Sequence, residues 1–223
     1  MLRVIDTETC GLQGGIVEIA SVDVINGEIC NPMSDLVCPD RPISHQAMAI
    51  HRITPQMVAN MPPIEQIVDR YRGSAYYVAH NASFDRRVLP EMGGEWLCTL
   101  KMARKLWPGR KYGNQALRHS LQLEVEPPAD LHAHRALYDC YVTAALLVRI
   151  MQESGWSPAQ MSALNTPPPD VSDDTFPFGK YRGQPVALIA RKNPGYLRWM
   201  LDNLDDLRPG FRQTLQRYLK GQS

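Results

Sequence analysis

Three features of the sequence predict an α/β domain with a mixed sheet, followed by a small basic module. The chain opens with three strand-like segments and then passes to helices alternating with short apolar strands, the order of a mixed five-stranded sheet flanked by helices. Its 223 residues suffice for one such domain and a smaller second unit. Charge is also unevenly spread: residues 1–150 carry 15 basic and 16 acidic side chains, residues 151–174 four acids and no base, and residues 175–223 nine bases and three acids. The basic tail is either a surface for a polyanion or simply a solvated face.

The elements follow in order. Residues 2–8 read as a strand, with Leu2 and Val4 alternating with Arg3 and Ile5 and no breaker before Gly11. Residues 16–25, rich in Ile and Val, form a second strand, and Asn26-Gly27 supplies the backbone for a tight hairpin. Residues 28–37, interrupted by Pro32, make a less regular third strand. Short helices are expected at 45–53, 55–61 and 63–71, two of them with proline in the first turn. A buried strand at 75–79, a helix at 83–92, a strand at 96–98, and helices at 101–107, 114–121 and 133–153 complete the domain. The run Thr166-Pro-Pro-Pro-Asp170 is the best boundary, dividing the chain into a domain at 1–153, a linker at 154–174 and a small basic domain at 175–223.

Several classes are excluded at this level. The strongest apolar run, 140–148, has nine residues, far short of the roughly 20 that span a bilayer. The N-terminus reaches Asp6 before a signal-peptide core could form. Five widely spaced cysteines without C-x-x-C indicate a reduced, cytoplasmic protein without a zinc knuckle. Glycines 11, 14 and 15 lack dinucleotide-binding spacing, and there is no P-loop. Nothing around Ser83 resembles a serine hydrolase, and His132 beside His134 lacks further zinc ligands.

Chemistry concentrates in three places. Asp6 and Glu8, two apart on a strand, project from one face, where they either turn to solvent or share a cation or proton. Asp139 lies early in a helix apolar on most sides, so it either sits at an exposed helix start or faces something positive. On an ideal helix His134, five residues earlier, diverges from Asp139 by about 140°, so the two would approach one site from different sides. The stretch His80-Asn81-Ala82-Ser83-Phe84-Asp85 sits where a strand meets a helix, a favoured place for ligands; Asp85 also suits a helix first turn.

Taken together, D-x-E, H-N-x-x-F-D and H-x-x-x-x-D resemble the DEDDh branch of the 3′-to-5′ exonucleases, over residues 1–153 and in that family's order and spacing. The resemblance implies an RNase H-like fold and phosphodiester hydrolysis with two Mg²⁺ ions, Mn²⁺ substituting. It implies Asp6, Glu8 and Asp139 as ligands of one ion, Asp6 bridging to the second, Asp85 acting through water, and His134 as general base. Thr7, Gly11, Leu12, Gln13, His80, Asn81 and Phe84 are the expected substrate-binding positions. Leu12 would pack between terminal bases and Gln13 at the frayed end. His80 and Asn81 are expected chiefly to shape their turn, and Phe84 to pack in the core or against a sugar. Cys10 stands where many relatives have Thr or Ser; it is not an expected ligand.

The tail segments Phe178-Gly-Lys-Tyr-Arg-Gly183 and Asn193-Pro-Gly-Tyr-Leu-Arg-Trp199 resemble an accessory module found in one branch of that family. Lys180, Tyr181, Arg182 and Arg198 are the expected accessory nucleic-acid contacts; Trp199 offers a stackable ring but is read as core, and Tyr181 stands equally between core and contact. The implied function is a 3′-to-5′ exodeoxyribonuclease acting on DNA with a free 3′ end, in DNA repair including mismatch repair. A polymerase proofreading subunit, an RNA-trimming exonuclease and a non-catalytic nucleic-acid binder are the alternatives.

Overall fold

Strand β1 (Leu2–Thr9) is the middle of a five-stranded sheet, paired antiparallel with β2 (Ile16–Ile25) and parallel with β4 (Tyr76–Ala79). Strand β3 (Glu28–Leu36) adds antiparallel to β2, and β5 (Glu95–Cys98) parallel to β4, giving the order β3-β2-β1-β4-β5. This is the RNase H-like arrangement expected from the sequence. Asn26 and Gly27 take positive φ angles of 53° and 88°, as the tightest hairpins require. Pro32 is tolerated because β3 is an edge strand. The computed structural model describes residues 1–164, 174–204, 207 and 209–220, and falls into two units, Met1–Asn165 and Thr166–Ser223.

The first unit contains α1 (His45–His51), α2 (Pro55–Val58), α3 (Ile64–Ile67), α4 (Ala82–Val88), α5 (Thr99–Leu106), α6 (Asn114–Ser120), α7 (Ala136–Ser154) and α8 (Pro158–Ala163). Alternation along β1 decides which side of the sheet each residue serves. Leu2 and Val4 join Val22, Val78 and Leu97 under a layer that includes Cys140, Leu146 and Leu147 of α7. Ile5 joins Ile19, Tyr77 and Trp96 on the other face, against Tyr71, Ala82 and Leu89. Asp6 and Glu8 share the parity of Leu2 and Val4, so they emerge beyond the apolar layer on the α7 face.

Two expectations need correction. The linker does not begin at 154: residues 158–163 form α8, capped by Ser157 and Gln160, and Met161 is buried in the core beneath it. The long helix begins at Ala136 rather than 133, leaving His134 in the preceding loop with φ of 68°. The triple-proline boundary at 166–170 lies outside the described residues. In the second unit, α9 (Val186–Lys192), α10 (Pro194–Asn203) and α11 (Pro209–Lys220) enclose Phe176, Ile189, Leu197, Met200 and Phe211. Trp199, read from sequence as core, is 49% exposed. No described helix is long and apolar enough to cross a membrane.

One close approach fixes how β4 enters the sheet. A Cβ at Gly94 would lie 2.6 Å from the Ser74 carbonyl oxygen and 2.8 Å from the Tyr77 ring. Gly94→Ala should therefore destabilise the first unit by about 1–3 kcal/mol, read as a lower urea midpoint for the full chain. An unchanged midpoint would show that the backbone yields freely there.

Candidate active site

Four carboxylates meet where β1 ends. Asp6 and Glu8 come from β1, Asp85 from the first turn of α4, and Asp139 from the first turn of α7. Because β1 and β4 are parallel, both deliver their chain ends to the same edge of the sheet, and α4 starts just after β4. Ligand-capable atoms of Glu8, His134 and Asp139 all lie within 4.8 Å of one another. Asp6 and Asp85 lie close enough to add repulsion to that group.

Burial and like charge dominate the electrostatics. Burial pushes the Asp6 carboxyl well above the usual carboxylate range, with Asp85, Glu8 and Asp139 adding repulsion in that order. Glu8 is pushed up to about 9, first by burial and then by Asp139 and Glu18. Asp85 rises to about 7 through burial, opposed by hydrogen bonds from Thr7. Burial raises Asp139 as well, with His134 offsetting part of the effect. Such a cluster is short of positive charge. Its hard oxygen donors suit a divalent cation better than they suit zinc, so the residues present fit a metal of the magnesium class.

Two of the carboxylates, Asp85 and Asp139, are held by neighbours. The backbone N–H and the hydroxyl of Thr7 both donate to Asp85 Oδ1, at 3.1 and 2.9 Å. Thr7 is buried on the opposite side of the strand from Asp6 and Glu8, where its side chain orients the Asp85 carboxylate. The His134 backbone N–H donates to Asp139 Oδ2 at 3.0 Å, and Gln115 Nε2 approaches Asp139 Oδ1 at 3.4 Å. The loop conformation of His134 replaces the 140° divergence of an ideal helix and brings imidazole and carboxylate together.

Glu18 is the main feature that sequence reading missed. It sits directly across from Glu8 in the β1–β2 register and is only 1% exposed. Two like charges so placed would repel. Arg135 answers with Nε at 3.0 and 3.1 Å and Nη2 at 2.6 Å from the Glu18 oxygens, and the Ala136 N–H adds a bond of 2.9 Å. This pair pins the start of α7, and with it both His134 and Asp139. The signal was partial: Glu18 is one of two acids, with Asp23, in a strand otherwise rich in Ile, Val and Ala, and Arg135 follows His134 directly.

The remaining predicted positions separate into two groups. The turn after β1 exposes Leu12, at 82%, and Gln13; Gly11 beside them is half-buried. Arg87 donates to the Leu12 carbonyl and Arg41 to the Gln13 carbonyl, each at 3.0 Å, so the turn is braced. Phe84 is half-buried beneath the Arg87 guanidinium and belongs to no apolar cluster among the described residues, which overturns the core reading. His80 spends both ring nitrogens on Thr99 Oγ1 (2.9 Å) and the Tyr112 carbonyl (2.7 Å), and Asn81 is an exposed left-handed residue before α4. Both shape the turn. Cys10 is buried, its thiol donating to the Arg41 carbonyl at 3.3 Å. Among the described residues His132 joins no ligand cluster.

A family model described as Exonuclease matches residues 4–147, and one described as Exodeoxyribonuclease X-like C-terminal matches residues 176–205. Exodeoxyribonuclease 10 of Escherichia coli (strain K12) is 64% identical over 220 residues, covering 99% of both chains. DNA polymerase III PolC-type of Thermotoga petrophila is 33% identical over 164 residues, covering 67% of this chain and 12% of that one. A solved structure of Exonuclease X in complex with 5′ overhanging duplex DNA is 69% identical and superposes with a TM-score of 0.74, covering 74% of this chain and all of that one.

Two measurements follow from this geometry. Glu18→Gln leaves Arg135 without its carboxylate and should cost about 3 kcal/mol in urea unfolding, at the low end for a buried pair because Arg135 is half-buried. A loss under about 0.5 kcal/mol would mean the pair does not anchor α7. Separately, Asp85 and Glu8 have folded values of about 7 and about 9, above their unfolded ones. Their contribution to stability is therefore intact in acid and lost as pH rises through the folded values. In EDTA the melting temperature should fall from about pH 4 to pH 9, less so for Asp85→Asn, and Mg²⁺ should flatten the decline. A metal-free melting temperature that rises across this window would contradict the arrangement.

Proposed function

The chain belongs to the exonuclease family, and on that premise we propose that it removes 5′-mononucleotides from the 3′ ends of DNA by divalent-metal-assisted hydrolysis, in the cytoplasm and in the service of DNA repair, including mismatch repair. The observation that carries this reading is the convergence of Glu8, His134 and Asp139 within 4.8 Å, beside Asp6 and Asp85. In the proposal Asp6, Glu8, Asp85 and Asp139 hold two Mg²⁺ ions, with Mn²⁺ able to replace them. When bound, such ions offset the carboxylate charge and stabilise the attacking and leaving oxygens of an in-line displacement.

The chain's own residues do the rest. His134, exposed to solvent with its backbone tied to Asp139, accepts the proton of the attacking water. Thr7 keeps Asp85 aimed at the site. Leu12 and Gln13, on a braced turn, meet the terminal bases, and Phe84 meets a sugar. Lys180, Tyr181, Arg182 and Arg198 of the second unit add a separate grip on nucleic acid, supported by the nine bases against three acids in residues 175–223. The choice of DNA rests on the likeness to Exodeoxyribonuclease 10, and the cytoplasmic setting on five free cysteines. The attached second unit favours a free-standing nuclease over a proofreading subunit.

A 5′-labelled DNA oligonucleotide, incubated with Mg²⁺ or EDTA, tests the proposal. A metal-dependent ladder shortening from the 3′ end is expected, absent for Asp6→Ala and Asp139→Ala, and slowed about 10²- to 10⁴-fold for His134→Ala. An RNA strand cut as fast as DNA would favour the RNA-trimming reading. Uncut DNA that still shifts on a gel would favour a non-catalytic binder.

A further inference from the structure

We propose that the second unit carries a base-stacking platform, centred on the exposed indole of Trp199, that holds a single-stranded stretch of nucleic acid. This rests on the reading of nucleic acid as substrate and goes beyond it by assigning a second binding site, its chemistry and its preferred strand form.

The core of the unit is complete without Trp199. Phe176 and Phe211 are fully buried and meet edge to face at 5.7 Å, with Leu197, Met200 and Ile189 around them. Trp199 stays 49% exposed in a helix that has already buried Leu197 and Met200. It stacks on Tyr196, ring centroids 5.8 Å apart and planes 24° from parallel. Tyr196 in turn meets the edge of Tyr181 at 4.9 Å, and the Lys180 ammonium lies 5.3 Å from the centre of the Tyr181 ring. The result is a continuous row of three rings ending in a cation.

That row is rigid. Asn193 accepts the Tyr196 backbone N–H at 3.3 Å and donates to the Tyr181 hydroxyl at 3.2 Å, tying the Tyr181 ring and the Tyr196 backbone to the start of α10. Phe176 backs the two tyrosines at about 6 Å. Gly179, with φ of 77°, brings the loop so near that a Cβ there would lie 2.7 Å from the Tyr196 hydroxyl. Rings already fixed lose little freedom when a flat partner arrives. Exposed Lys180, Arg182 and Arg198 supply phosphate-seeking charge. A flat, cation-flanked aromatic face suits an unpaired base, because every base has a stackable face and a duplex hides all but its ends.

The test uses the full chain in EDTA, so that nothing is cut, with a fluorescent oligothymidylate followed by anisotropy. Trp199→Ala should weaken binding about five- to a hundred-fold, and Trp199→Phe should recover most of it. The ratio to wild type should change little between 50 and 300 mM salt, whereas the Lys180→Ala ratio should shrink as salt rises. Hydrolysis of the p-nitrophenyl ester of thymidine 5′-monophosphate, which carries a single nucleotide and no strand, should be unchanged in Trp199→Ala and reports that the first unit is intact. Oligothymidylate affinity within two-fold of wild type would overturn the platform. So would a change in oligomeric state of Trp199→Ala in sedimentation, which would give this face to a second copy. If wild type fails to cut DNA in Mg²⁺ while Trp199→Ala still loses affinity, the nuclease reading falls and the platform stands; normal cutting with unaltered Trp199→Ala binding is the reverse.

Discussion

Like charge crowded at one end of β1 is the constraint that organises the first unit. Asp6 and Glu8 are forced to one side by the two-residue period of a strand, Glu18 faces Glu8 from the neighbouring strand, and two helices then add Asp85 and Asp139. A fold that tolerates this needs compensating cations and rigid supports. Among the described residues Arg135 is aimed at Glu18 and eases Glu8 in part, and His134 offsets part of the charge of Asp139; the acids otherwise draw on cations from solution.

The supports are distributed so that neither Asp85 nor Asp139 depends on its own element alone. Asp85 belongs to α4 but is held by Thr7 of β1. Asp139 belongs to α7 but is held by the backbone of the loop carrying His134, with Gln115 of α6 nearby. That loop is fixed through Arg135 to β2. Strands and helices that pack through apolar layers are in this way cross-linked at their polar ends, where packing alone leaves side chains free to turn.

Much of this was legible in the residues. Strands at 2–8 and 16–25 and the turn at Asn26-Gly27 follow from alternation and local backbone preference, and they appear almost residue for residue. The placement of Asp6 and Glu8 on one face, of Asp85 in a helix first turn and of Asp139 early in α7 was legible locally, but only the resemblance to the exonuclease motifs joined them with His134 into one candidate site. What was not legible depends on contacts distant in sequence. The start of α7 is set by Glu18, more than a hundred residues away, so local pattern alone placed His134 inside the helix. Thr7 is an ordinary strand residue until Asp85 arrives beside it. Trp199 carries the composition of a core residue, and only the closed packing of Phe176 and Phe211 shows that the core has no place for it. Met161 was lost to the linker because a short capped helix in an acidic stretch gives little periodicity to read.

The bond from the Ala136 N–H to Glu18 has a consequence for how phosphate is met. The first amides of a helix, with the positive end of its dipole, are a ready anion site. Here the opening of α7 lies beside the acids, yet its amide is already engaged by the protein's own carboxylate. The scaffold thus ties the first amide of α7 to its own carboxylate, which reduces the fixed attraction for phosphate beside the acids. With that amide engaged, attraction for an anion beside the acids leans on cations drawn from the medium, which makes the site conditional on its surroundings.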